Sequence, residues 1–174
     1  MQPIVPFAAL LALAFPVLVI AAALKDITSF TIPNWIPLGL LAVFPAAAVA
    51  AGMSLPAIGL HAGVGLAGFV VAMGMFAMGW MGGGDAKLFA ACLLWLGWPA
   101  AGPFLMISMT AGGILALGLV TLRSAQLRPL VLLGPPWFAR LAEPGEGVPY
   151  GLALAAGALA AFAQSPFMSG SPLA

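Results

Sequence analysis

The sequence predicts an all-α polytopic membrane protein of about six transmembrane helices, with both termini outside. Three observations lead there. First, the 174-residue chain is 64% hydrophobic and carries only five Lys/Arg and four Asp/Glu, where a soluble domain is about 25% charged. Second, its mean hydropathy is +1.19, and apolar runs recur along it at lengths suited to a hydrocarbon core about 30 Å thick, roughly 20 helical residues per crossing. Third, if six spans alternate in direction, every Lys and Arg falls in loops on one side, which the positive-inside rule makes cytoplasmic.

The runs can be taken in order. The first, about residues 3 to 24, ends at Lys25-Asp26. Ala21-Ala22-Ala23 gives it the small-residue look of a signal-peptide cleavage site, but it lacks a basic segment ahead of it and is long enough to span. Runs at about 35 to 52 and 57 to 80 follow, separated by a turn at Met53-Ser54-Leu55-Pro56. A glycine-rich stretch, Met81-Gly82-Gly83-Gly84-Asp85-Ala86-Lys87, opens a fourth run from about 86 to 100. A turn at Ala101-Gly102-Pro103 leads to a fifth run ending near Leu122, and the last extends from Tyr150 to about Phe162. Gly and Pro make 22 and 16 of the residues, a load that membrane helices tolerate because neighbouring segments satisfy the freed backbone groups. Residues 1–174 read as one transmembrane domain, with a cytoplasmic or interfacial loop over 123–149 and a disordered tail expected over 165–174.

Composition excludes several functions. A near-neutral charge balance without a basic cluster argues against nucleic acid as a partner. The single Cys92 forms no internal disulfide or CxxC metal site, and the single His61 removes two-histidine zinc motifs, so no metal is expected. The glycine-rich stretch lacks the spacing of a phosphate-binding loop and the Ser/Thr after its Lys, and no cofactor is expected. His61 lies in the third span near the end opposite Asp26 and Asp85, roughly 30 Å of helix away. That separation leaves Ser-His or Cys-His catalysis without its partners, so His61 reads as an interhelical hydrogen bonder and Cys92 as a packing residue.

The remaining chemistry is carboxylate chemistry. Asp26 closes the first span and Asp85 opens the fourth, at one membrane depth, so the two can meet. Acidic groups at membrane level usually face a cavity or a partner. The plainer alternative is that Asp85 is a helix N-cap and Asp26 a charge at a helix end beside Lys25. Gly82, Gly83 and Gly84 favour a site, because they allow a peptide to approach the Asp85 backbone closely. Paired carboxyl groups that share one proton supply both a base for water and an acid for a scissile carbonyl.

Asp26 with Ile32-Pro33-Asn34, then Gly82-Gly83-Gly84-Asp85-Ala86-Lys87-Leu88 with Leu94-Trp95-Leu96-Gly97, then Pro149-Tyr150-Gly151, resembles the type IV prepilin peptidases, membrane aspartic proteases with a GxGD motif. The resemblance implies Asp26 and Asp85 as the catalytic pair. It makes Gly82, Gly83, Gly84, Lys87, Pro33, Asn34, Pro149, Tyr150 and Gly151 substrate-binding or site-shaping residues. It implies a prepilin substrate cut at the cytoplasmic face of the bacterial inner membrane, after a glycine and beside the pilin's hydrophobic segment. The chain looks like the short form associated with Flp-type (tight-adherence) pili, because it lacks the paired CxxC region of the larger members that also methylate. It departs from the family at Thr28, Ser29, Phe30 and Thr31, where members often carry basic residues.

The supporting residues have local readings as well. Pro33 keeps Ile32 extended and Asn34 caps the second span, a tight turn that places Asp26. Lys87 either holds the charge of the pair or reaches lipid phosphate. Pro135-Pro136-Trp137-Phe138-Ala139-Arg140 has the composition of an interfacial segment, while Glu143 and Glu146 either attract a basic leader or lie in a solvated loop. A preflagellin-type or other GxGD protease is a neighbouring alternative, and a small proton-coupled transporter using both aspartates as a relay is a more distant one.

Overall fold

The structure, a computed structural model, describes residues 4–143 and 147–169. They form a helical bundle: α1 (Ile4–Ala12), α2 (Ala14–Ser29), α3 (Trp35–Ala50), α4 (Leu55–Ala77), α5 (Gly83–Leu122), the short α6 (Arg128–Val131) and α7 (Pro136–Ala139), then α8 (Tyr150–Phe162) and α9 (Pro166–Ser169). The 3₁₀ turn Arg140–Ala142 follows α7, and no strand occurs among the described residues. By length and hydropathy three stretches can cross a membrane, Phe7–Ser29, Leu55–Ala77 and Gly83–Leu122, and α3 and α8 are shorter apolar helices. The protein is an all-α polytopic membrane protein.

The first run is longer than its hydropathy suggests. α1 and α2 follow one another through Leu13, which keeps helical dihedrals. The local irregularity falls where Pro16, four residues after Ala12, lacks the N–H that the helix would use. Ala22 and Ala23, part of the signal-like triplet, are buried in mid-helix. The helix continues one turn beyond Asp26 and stops at Phe30, which takes a left-handed conformation (φ 53°).

α5 contains two spans. Gly97 breaks its dihedrals (φ 67°, ψ −173°), in a region of the map open essentially to glycine alone. Phe89 and Phe104 would stand about 22 Å apart on a straight helix, yet their ring centroids are 5.6 Å apart. The chain therefore doubles back, and residues 83–96 and 98–122 run side by side in opposite directions. This corrects the turn expected at Ala101-Gly102-Pro103. Pro99 falls in the first turn of the returning helix, where its missing N–H leaves no bond unmade. His61 of α4 closes the break: its Nδ1 lies 2.9 Å from the Leu94 carbonyl oxygen, and its ring fills the space where a Gly97 side chain would stand.

Packing fixes the register of the bundle. Phe15 of α2 stacks on Phe162 of α8 with centroids 4.7 Å apart and lies 5.4 Å from the Trp95 ring. Trp95 meets Phe44 as well, and its indole Nε1 donates to the Leu40 carbonyl at 2.9 Å. Phe167 of α9 packs on Trp95, Phe44 and Phe162, and Ser165 is buried. Residues 165–169, expected as the start of a disordered tail, thus continue the aromatic core; 170–174 lie outside the described residues. Since Phe15 pairs with both Phe162 and Trp95, the ends bearing Asp26, Asp85 and Gly151 come together. Cys92 is fully buried among apolar neighbours.

A side chain at Gly97 meets both backbone strain and the His61 ring. Gly97→Ala is expected to cost on the order of 1–3 kcal/mol from the dihedrals alone, read as a lower unfolding midpoint of the purified protein in detergent. An unchanged midpoint would mean that the hairpin does not depend on this dihedral.

Candidate active site

Lys25 and Asp26 are neighbours on α2 that point apart: Lys25 is exposed, and Asp26 is 4% exposed within the bundle. The Asp26 Oδ2 accepts a hydrogen bond of 2.7 Å from the Gly151 N–H. Gly151 is the second residue of α8, after buried Pro149 at the N-cap and Tyr150. Its amide is one of those that open a helix without an intrahelical acceptor, and Asp26 supplies one from the other end of the chain.

Asp85 is the third residue of α5, and the N-cap is Gly82. The plainer alternative, Asp85 as the N-cap itself, does not hold, since Gly83 and Gly84 already belong to the helix. From the third position the carboxylate reaches back to the Gly82 backbone, the geometry of the acidic member of a capping box. Asp85 is half-buried, its Oδ1 has no hydrogen-bond partner among the described residues, and Asp26 is within Coulombic reach of it.

Ile32, buried in the linker between α2 and α3, sets the spacing of the site. A Cβ on Gly84 would lie 3.1 Å from the Ile32 Cβ, and one on Gly151 would lie 2.9 Å from its Cδ1 and 2.8 Å from the Asp26 Oδ2. The two helix starts that carry the site thus close on one isoleucine: a side chain on Gly151 would clash, and one on Gly84 would press on Ile32. Gly82 faces the Asp85 carboxylate and Gly83 faces the Phe76 ring. In the sequence Ile32 stands out only as part of Ile32-Pro33-Asn34. Its spacer role has no signature in residue type.

Other expected site residues lie at the rim. Asn34 occupies the N-cap position of α3 but makes no side-chain cap bond. Its Oδ1 instead accepts from Lys87 Nζ at 2.8 Å, so Lys87 ties α5 to the linker. Pro33 is half-buried in that linker, and Tyr150 is 39% exposed beside Gly112. The Arg140 guanidinium lies over the Phe30 ring, 5.3 Å from its centroid, and Arg123 donates to the Leu141 and Gly147 carbonyls. Glu143 is exposed, and Glu146 lies outside the described residues. No group of three or more His, Cys, Asp or Glu among the described residues could hold a metal ion.

Two carboxyl groups thus meet at one end of an apolar helical bundle, Asp26 anchored and Asp85 partly open. The fold and these groups define a polytopic helical membrane protein with a paired-carboxyl candidate site. The sequence pattern of the type IV leader peptidase family matches residues 13–117, more than half of the chain, and the chain belongs to that family. It is accordingly a protease. No curated protein and no solved structure matches it. The matched stretch includes both aspartates and the three glycines but ends before Gly151.

Gly151→Val is expected to push the Asp26 carboxyl group aside and lower peptide cleavage about 100-fold, the scale of a misplacement near 1 Å, while the protein still inserts. Cleavage at the wild-type rate would show that the Gly151 contact does not set the position of Asp26.

Proposed function

We propose that this protein is an endopeptidase that removes the leader from Flp-type prepilins at the cytoplasmic face of the bacterial inner membrane, with Asp26 and Asp85 as the catalytic pair. The observation that carries the reading is the approach of these two carboxyl groups at the bundle end that also holds the chain's cations. Lys87 bonds the α2–α3 linker, Arg140 covers Phe30, and Arg123 joins the loop before α8. A basic end is the one that the positive-inside rule retains in the cytoplasm.

In the reaction the ionised member of the pair takes a proton from a water as that water attacks the scissile carbonyl. The protonated member donates to the carbonyl oxygen; as the tetrahedral diol collapses and the C–N bond breaks, the carboxyl group that took the water's proton passes it to the leaving nitrogen, and a diol hydroxyl returns a proton to the other carboxylate. The pair ends the cycle with one proton, as it began. The two groups titrate together, so the limbs of a pH–rate profile belong to the pair. One cysteine in the whole chain supports leader removal without methylation, since the methylating members carry paired CxxC motifs. Against a proton relay stands the far half of the bundle, where His61 is closed in by Phe44, Leu94 and Gly97.

Asp26→Asn and Asp85→Asn are each expected to abolish leader removal from a Flp-type prepilin in liposomes, while both variants stay folded, because an amide neither takes the water's proton nor donates as an acid. The double variant should be no worse than either single one, since a mechanism is lost whole. Processing near the wild-type rate by either single variant would overturn the assignment. For the sidedness, a thiol introduced as Ser54→Cys in a Cys92→Ala background should react with an impermeant reagent added outside the cell membrane; labelling solely from the cytoplasm would reverse the topology.

A further inference from the structure

The start of α8 carries the amide that holds Asp26, yet α8 does not cap itself. Its N-cap is Pro149, and no side chain bonds the amides of the first turn from that position. A helix end without a cap frays. The close approach that seats α8 on the returning half of α5 lies further along: a Cβ on Gly157 would stand 2.8 Å from the Phe104 carbonyl oxygen and 2.9 Å from the Ser108 nitrogen. Ile32 and Gly112 shape the space around the first turn, but the direction of the Gly151 amide is set by the chain that leads into the helix.

That chain is stiff. Pro149 is fully buried with φ −73° and ψ 78°, and the Tyr150 N–H donates to the Val148 carbonyl at 2.8 Å. This is an inverse γ-turn, and the proline ring already supplies its φ. Arg123 holds the outer end. It closes α5 as the C-cap, and its guanidinium bonds two carbonyls, Nε donating to Leu141 at 2.8 Å and Nη2 to Gly147 at 3.1 Å. Three constraints therefore stand in series: Arg123 on Gly147, the turn at Pro149, and Gly151 on Asp26.

We propose that Arg123 is a positioning residue for the carboxyl pair, holding Asp26 in place through Gly147, Pro149 and Gly151; this rests on the endopeptidase reading above. In the sequence Arg123 counts only among the cytoplasmic cations, and the matched family pattern ends before it. A charge that only orients the chain, or only favours the C-terminal end of α5, is served equally well by lysine. The observed contact is not, because bonding two carbonyls at once takes the planar fork of a guanidinium, whereas an ammonium is a point charge on a flexible stem. The contact also meets a need of the loop: Leu141 is buried, and a buried carbonyl without a donor is costly. Arg123 supplies no group to the chemistry; it sets where Asp26 stands.

The test measures prepilin cleavage by the full-length protein in liposomes, with the enzyme concentration taken from the folded fraction. Arg123→Lys should lower kcat about tenfold, less than the roughly 100-fold of a 1 Å misplacement. KM should stay within about twofold of wild type, since the change removes no contact to substrate. In a Gly151→Val background, where the Asp26 contact is already lost, the same substitution should change kcat by less than about twofold, because two changes that act through one contact do not add. The Gly151 amide should exchange with solvent at least about tenfold faster in Arg123→Lys, while amides further along α8 keep their protection. Arg128→Gln, at an exposed cation of α6, should alter none of these. Wild-type kcat in Arg123→Lys, or an equal loss in both backgrounds as general destabilisation would give, overturns the inference and leaves the endopeptidase reading intact. Wild-type protein that cuts no prepilin overturns the endopeptidase reading, and the inference with it.

Discussion

The hydrogen bond from the Gly151 amide to the Asp26 carboxylate joins residues 125 positions apart, and the rest of the site is arranged around it. It fixes the start of α8 against the end of α2, gives an orphan helix amide its acceptor, and commits one oxygen of Asp26 to a structural bond. Asp85 is held differently, by its own helix: the third position of α5 brings its carboxylate back to the Gly82 backbone. One acid is thus positioned by tertiary structure and the other by local structure. Ile32 keeps the two helix starts at a set distance.

The two halves of the bundle divide the work. The half away from the aspartates is closed by aromatic packing: Phe15, Phe44, Trp95, Phe162 and Phe167 form one cluster, and Trp95 and His61 each hydrogen bond a backbone carbonyl of a neighbouring helix. Buried carbonyls in hydrocarbon need such partners, so this half is specified by hydrogen bonds as well as by shape. The carboxyl half is more open. Asp85 is half-buried and Tyr150 is partly exposed.

The sequence by itself determined the membrane character, the number and approximate extent of the apolar segments, and the shared depth of Asp26 and Asp85. These follow from one-dimensional properties: hydropathy against bilayer thickness and charge in alternate loops. The last run, Tyr150 to Phe162, matches α8 in the structure. Tertiary structure alone decided where α5 folds back. Gly97, Pro99, Gly102 and Pro103 all permit a break, and the choice of Gly97 rests on a left-handed dihedral and on the His61 ring packed against it. It also decided that Asn34 bonds Lys87 instead of capping α3, that Asp85 lies three residues inside its helix, and that Ile32 and Gly151 complete the site. Each of these depends on which backbones approach within a few ångströms, a distance set by helices far apart in sequence and invisible in the type of any single residue.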